Sequence, residues 1–372
     1  IPKALISMGI PTMLGMMVNA IYNLVDAYFV GGLGTSQMGA ISVVYPLGQV
    51  VVGLGLLFGN GAASYLSRLL GKGDKEKANQ VASTALYSSI TVGVIMIIFS
   101  MIFLHPILKL LGATDSIMPY AVTYASIYIV SCIFNVFNVT MNNIVTSEGA
   151  AKTTMLALMA GAILNIGLDP VFIYVLDMGV AGAAIATAIS QIISTLVYLT
   201  FVLRKKSIYN FRIKNCTFTK EIISEIFKIG IPTLVFQILT SLSISLVNTQ
   251  ARPYGDSVIA GMGAVTRVVS MGSLMVFGFI KGFQPIAGYS YGAKKFDRLH
   301  EAIKTSIIWS TAFCVIYGLV LTIFSKGIIS QFTKGDLEMI RVGTQSLRIN
   351  GISFMLFGFY TVYSSLFLAL GK

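Results

Sequence analysis

The stretch Ile10–Gly31, IPTMLGMMVNAIYNLVDAYFVG, is 22 residues long and carries a single charge, the carboxylate of Asp26, with no basic residue near it in sequence. About 20 apolar residues in a helix cross the ~30 Å hydrocarbon core of a bilayer. The stretch therefore reads as a membrane span with an acid inside it. A carboxylate in that place costs roughly 2.5–3.5 kcal/mol on insertion scales and marks an ion or proton pathway. Further along, a second apolar stretch carries Asn165 and Asp169, four residues apart.

The rest of the chain follows the same pattern. It has 372 residues, of which 55% are hydrophobic and 11% charged, and its mean hydropathy is +0.82. Soluble domains do not have this composition. Apolar runs at about 5–30, 37–67, 79–104, 117–145, 151–176, 180–203, 221–251, 257–289, 301–325 and 341–370 predict ten spans. In lipid the backbone must satisfy its own hydrogen bonds, so the spans are helices and the fold is an all-α integral membrane protein.

The net charge of +12 is placed by topology. Basic residues gather in Arg68–Lys77, Arg204–Lys228 and Lys294–Lys304, whereas Gly31–Ser36 and Asp177–Gly179 have none. The positive-inside rule puts the basic loops and both chain ends in the cytoplasm. That is a topology signal and an attraction to membrane lipids, and it argues against nucleic acid as a partner. Cys132, Cys216 and Cys314 form no disulfide framework.

A repeat appears at an offset of 221 residues. Gly9-Ile10-Pro11-Thr12 returns as Gly230-Ile231-Pro232-Thr233, and Gly34, Gly61 and Gly71 return as Gly255, Gly282 and Gly292. Residues 1–203 make a six-span N-lobe, 204–220 a basic cytoplasmic linker, and 221–372 a C-lobe with four spans. An even number of spans per lobe makes the two helix bundles parallel repeats. The register matches the chain end to the loop after span four, so the expectation is a fragment whose last two spans are missing.

Among the fourteen acids, only Asp26 and Asp169 lie deep in spans. Asn165 and Asp169 share a helix face, and Pro170 removes a backbone donor beside them. Carboxylates with an amide oxygen form a hard-oxygen set suited to Na⁺, or to one proton shared by two carboxylates. The alternative is that Asp169 caps a broken helix while Asp26 reaches for the interface. Pro11 marks a hinge in the first span, or a proline in its first turn. Asn19, Gln49, Asn60, Gln237, Thr240, Lys281 and Gln284 are polar groups within spans that line a substrate cavity or bridge helices. Lys281, the repeat partner of Asn60, lines the cavity, neutralises an acid or reaches the interface. No metalloprotease, redox, Walker or nucleophile-elbow motif occurs, so the chain is read as neither an enzyme nor a cofactor protein, and an ion gradient must supply the energy.

These residues resemble the multidrug and toxic compound extrusion (MATE) family, bacterial branch. The resemblance runs over essentially the whole chain. It is carried by LVDAYFVG at 24–31, NIGLDPVFIY at 165–174, GVAGAA at 179–184 and GFQPIAGY at 282–289. It implies two six-helix lobes around a central cavity, and export of amphipathic, cationic drugs from a bacterial inner membrane in exchange for Na⁺ or H⁺ by a monomer. It also implies a cation site at Asp26, Asn165 and Asp169, joined by Tyr124 and Thr187, and a bend of the first helix at Pro11. One departure stands out. Some members carry acids in spans seven and ten, where this chain has Thr240 and no acid, so coupling is expected in the N-lobe alone. A flippase of lipid-linked oligosaccharides would share the architecture and need a strongly basic cavity, for which only Arg267, Lys281 and Arg348 are candidates.

Overall fold

The computed structural model of the chain describes residues 1–33, 35–251, 254, 256–332 and 337–372. Within these it describes every side chain except those at 23, 24, 27, 28, 31, 35, 38, 241, 244, 245, 248, 249, 251, 256, 257, 259 and 260. Gly34 and its repeat partner Gly255 lie outside the described residues.

The described elements are helices. In order they are α1 (Pro2–Gly31), α2 (Thr35–Lys72), α3 (Lys75–Ile102), α4 (Leu104–Leu110), α5 (Met118–Ser147), α6 (Ala151–Pro170) and α7 (Gly179–Leu203), with a π-helical turn, Val171–Val175, after α6. Then come α8 (Lys220–Ala251), α9 (Asp256–Gly292), α10 (Phe296–Ile323), α11 (Ser325–Ser330), α12 (Leu337–Phe354) and α13 (Phe357–Leu370). Among the described residues, nine helices are long and apolar enough to cross a membrane.

The tenth apolar run is not one straight helix. It is broken between α12 and α13, which meet at a bend of 50°. Glycines flank the break. A Cβ on Gly351 would stand 2.8 Å from the Gly318 carbonyl oxygen, and one on Gly358 would stand 2.5 Å from the Ser310 carbonyl oxygen. Both glycines thus hold the bent pair directly against the α10 backbone, a long-range demand that hydropathy does not report.

The repeat survives in the helix limits. Lys75–Ile102 returns, 221 residues on, as Phe296–Ile323, and the starts of α2 and α4 return as those of α9 and α11. Packing repeats too: α1 lies along α9, and α2 lies along α8. These crossings are close because they are made by glycine. A Cβ on Gly282 would come within 2.5 Å of the Gly9 nitrogen, and one on Gly230 within 2.2 Å of the Leu57 carbonyl oxygen. At the ends bearing the basic loops, Gly71 and Gly292 approach each other so closely that a Cβ on Gly71 would lie 3.0 Å from the Gly292 Cα.

Ion pairs close the same ends. Arg68 on α2 bonds Glu225 on α8 at 2.7 Å, and Glu221 accepts from Lys77 at 2.5 Å and from the Tyr65 hydroxyl at 2.9 Å. The stretch between α7 and α8 lies along α3, where the Ser83 and Tyr87 hydroxyls donate to the Asn210 and Phe211 carbonyls and Asn79 accepts the Asn210 N–H. Within the first copy of the repeat, α1 packs on α6, α6 on α7 and α5 on α7. This cluster carries the predicted cation-binding residues.

Candidate cation and substrate sites

Asp26 stands five residues before the C-terminal end of α1, and Asn165 and Asp169 occupy the last turns of α6. The Asn165 amide donates to Asp169 Oδ1 at 3.3 Å, as two residues four apart on a helix can. Both side chains are buried, Asp169 completely. The Asp26 and Asp169 carboxyl groups are near enough to hydrogen-bond to each other. Pro170 has no N–H, so the Ile166 carbonyl loses its helical donor beside them. The helix then widens into the π-turn Val171–Val175. Such turns break the regular backbone pattern and recur at functional sites.

Three oxygens of this cluster are buried without a hydrogen-bond donor: Asp26 Oδ1, Asn165 Oδ1 and Asp169 Oδ2. Buried polar atoms are nearly always paired, so three together need a missing partner. Two carboxylates this close in low dielectric cannot both stay bare anions. A shared proton, or a cation coordinated by oxygen, satisfies both conditions. The set lacks the third carboxylate, histidine or thiol of a transition-metal centre. Among the described residues, no group of three or more such ligands occurs.

Tyr124 lies beside the pair on α5, buried and stacked on Tyr128 with ring centroids 5.7 Å apart. Thr187 is buried on α7, which packs against α6. Sequence reading missed Tyr22, which lies close to both Asp26 and Asp169. Its spacing of four residues from Asp26 was the available signal, lost among seventeen tyrosines. Pro11 is buried inside an α1 that runs through it unbroken, well past the first turn. Next to it, the Thr12 hydroxyl reaches across to the Gly278 carbonyl on α9 at 2.6 Å.

The polar residues expected to line a cavity divide. Asn60, Lys281 and Gln284 gather around one pocket between α2, α5, α9 and α13. Gln237 packs against Gly53 of α2. The Thr240 hydroxyl is bonded to its own helix at the Phe236 carbonyl, and Asn19 and Gln49 lie elsewhere on α1 and α2. Lys281 donates to Asn142 Oδ1 at 2.5 Å, and the Asn142 amide donates to the Tyr198 hydroxyl at 3.0 Å. Of the other two cations, Arg267 is exposed, and Arg348 donates to the Ser325 hydroxyl at 3.1 Å.

Comparison with known proteins gives this geometry its context. The MatE family model matches residues 11–171 and 232–372, the two copies of the repeat. The multidrug export protein MepA of Staphylococcus aureus (strain MSSA476) is 31% identical over 371 residues, covering all of this chain and 82% of the relative. A multidrug resistance MATE family transporter of the MOP superfamily, solved in its outward-facing conformation, superposes with a TM-score of 0.94 at 27% identity, covering 99% of this chain and 82% of that one. A MATE in complex with MaL6 also gives a TM-score of 0.94 at 27% identity, covering 99% and 83%. With a family model matching over most of its length and multidrug exporters among its relatives, the chain belongs to the MatE family of transporters.

Proposed function

We propose that the chain is a cation-coupled multidrug antiporter of the bacterial cytoplasmic membrane, exporting amphipathic, cationic compounds in exchange for Na⁺ or H⁺. Residues 1–203 form the N-lobe and 221–372 the C-lobe, joined by the linker 204–220, with the N-terminus in the cytoplasm. The observation carrying this reading is the trio of unpartnered buried oxygens on Asp26, Asn165 and Asp169. Tyr124 and Thr187 complete the polar wall around them, and Pro11 gives α1 a place to bend.

Exchange follows if ion and drug prefer opposite arrangements of the lobes. A ligand shifts a two-state equilibrium only through its differential affinity for the states. The basic-loop ends are closed by glycine contacts and ion pairs, and the positive-inside rule places those ends in the cytoplasm. In this arrangement the protein is shut towards the cytoplasm. A proton or Na⁺ entering the Asp26–Asp169 pair removes the repulsion between the carboxylates, draws α1 towards α6 and reshapes the cavity wall, so the drug leaves.

Efflux from proteoliposomes, driven by a Na⁺ gradient alone or a pH gradient alone, tests the reading. Asp26→Asn and Asp169→Asn are each expected to abolish driven efflux, a loss of about 100-fold or more if one ligand is worth about 3 kcal/mol. Both variants should still insert and fold. Wild-type efflux in both would remove the site from the mechanism.

A further inference from the structure

The pocket between the two copies of the repeat has a composition that the cation site does not explain. Its polar lining includes Asn60, Ser64, Asn143, Thr146, Lys281 and Gln284, and among the described residues no acid borders it. Asn60 and Lys281 are partners at the 221-residue offset, and both face the same pocket. The pocket therefore lies on the axis relating the repeats, where cargo must pass if the lobes alternate.

Among the described residues, Lys281 is the only charged group in this lining. An ammonium offers three donors. Here one is taken by Asn142 Oδ1, a neutral acceptor. Among the described residues, no carboxylate forms an ion pair with Lys281. Asn142 belongs to α5, in the first copy of the repeat, and Lys281 to α9, in the second. The bond thus spans the lobes and is lost when they part. The pocket has a cavity volume of only about 10 Å³, room for about one water, so in this arrangement it is too small to admit cargo.

We propose that Lys281 is a specificity-determining residue: it binds the anionic group of carboxylate-bearing cargo and so sets the preference between zwitterionic amphiphiles and plain cations. This rests on the antiporter reading above. With the lobes open to the cytoplasm, Lys281 has lost Asn142 and faces the entering compound. A carboxylate makes a charge-assisted bond that no amide equals. The Ser64 and Thr146 hydroxyls already donate to the Leu368 and Asn142 carbonyls, so the side-chain amides of Asn60 and Gln284, in the same lining, are the donors for the carboxylate's second oxygen. As the lobes close, the Asn142 carbonyl returns to the ammonium and displaces the carboxylate, so release and closure are one event.

A matched pair of dyes tests this in everted vesicles containing the whole chain: a rhodamine methyl ester, which is a cation, and the same rhodamine as its free acid, a zwitterion. Lys281→Gln is expected to raise KM for the acid about tenfold or more while leaving KM for the ester within about twofold, the difference expected of a bond to a charged group. Lys281→Arg should retain the acid. Asn142→Ala, which removes the competing acceptor, should lower both KM and maximal rate for the acid alone. Equal losses for the two dyes in Lys281→Gln would make Lys281 a structural strut and overturn the inference, as would no change for either. A wild-type chain that moves the ester but not the acid overturns this inference alone. One that moves neither dye also overturns the antiporter reading.

Discussion

Glu148 shows how one residue outside the spans ties distant segments together. It follows α5 directly, and its Oε2 accepts from the Ser207 hydroxyl at 2.9 Å and the Ile208 N–H at 2.7 Å. Its other oxygen is buried without a partner. Burial pushes the carboxyl up from 4.5 to about 7, against the opposing pull of the Ile208, Ser207 and Tyr209 donors. The sign follows from linkage. The folded state holds its proton more tightly than the unfolded chain, so this contribution to stability is complete below pH 4.5 and is lost as pH rises through about 7. The linker around Lys205 and Lys206 is expected to become more open to trypsin between pH 5 and 8, and Glu148→Gln to flatten that dependence. An unchanged profile in the variant would remove Glu148 as its source. No pattern in sequence pointed here, because the contact joins residues 59 and 60 apart through a loop. Asp26 and Asp169 were legible for the opposite reason: a carboxylate in an apolar run is conspicuous without its partners.

At the scale of helices, the sequence showed the spans and the repeat but not the close approaches. Ten apolar runs of the right length sufficed for the first, since hydrophobic length is a local property. The α12–α13 bend and the short helices α4 and α11 depend on what they pack against, so they were not legible. The repeated glycines lie between. Their register was visible, yet only the structure shows that Gly230 meets the backbone of Leu57 and Gly282 that of Gly9. A Cβ at Gly230 would stand 2.2 Å from a carbonyl oxygen that cannot rotate away. Gly230→Ala must therefore push α8 off α2, at about 1–3 kcal/mol. Efflux and the melting temperature are both expected to fall. Gly263→Ala, where nothing lies within 4 Å of the new Cβ, is the control and should match the parent in both. Equal behaviour of the two variants would mean that this crossing plays no part in the closed arrangement.

For the whole molecule, the question is whether the basic-loop ends open during transport. Ser67 on α2 and Gly288 on α9 are partners at the 221-residue offset and face each other across the axis, with the Ser67 Cβ 2.8 Å from an ideal Cβ on Gly288. A disulfide needs Cβ atoms about 3.8 Å apart, so the helices must yield by about an ångström to admit one. Cys132 and Cys314 are buried, and Cys216, in the linker, can be replaced by serine to leave the new pair unchallenged. In that background, Ser67→Cys with Gly288→Cys is expected to cross-link on mild oxidation and to stop efflux, with activity returning on reduction. The reduced pair serves as its own control for any damage done by the substitutions. Ser67 lines the pocket that holds Lys281, so the bond fastens α2 to α9 beside the Lys281–Asn142 contact. If the lobes rock about the axis, no exchange can proceed with this end fastened, whichever ion drives it. Full transport by the oxidised protein would mean that the closed ends never part, and the two-lobe mechanism would fall with them.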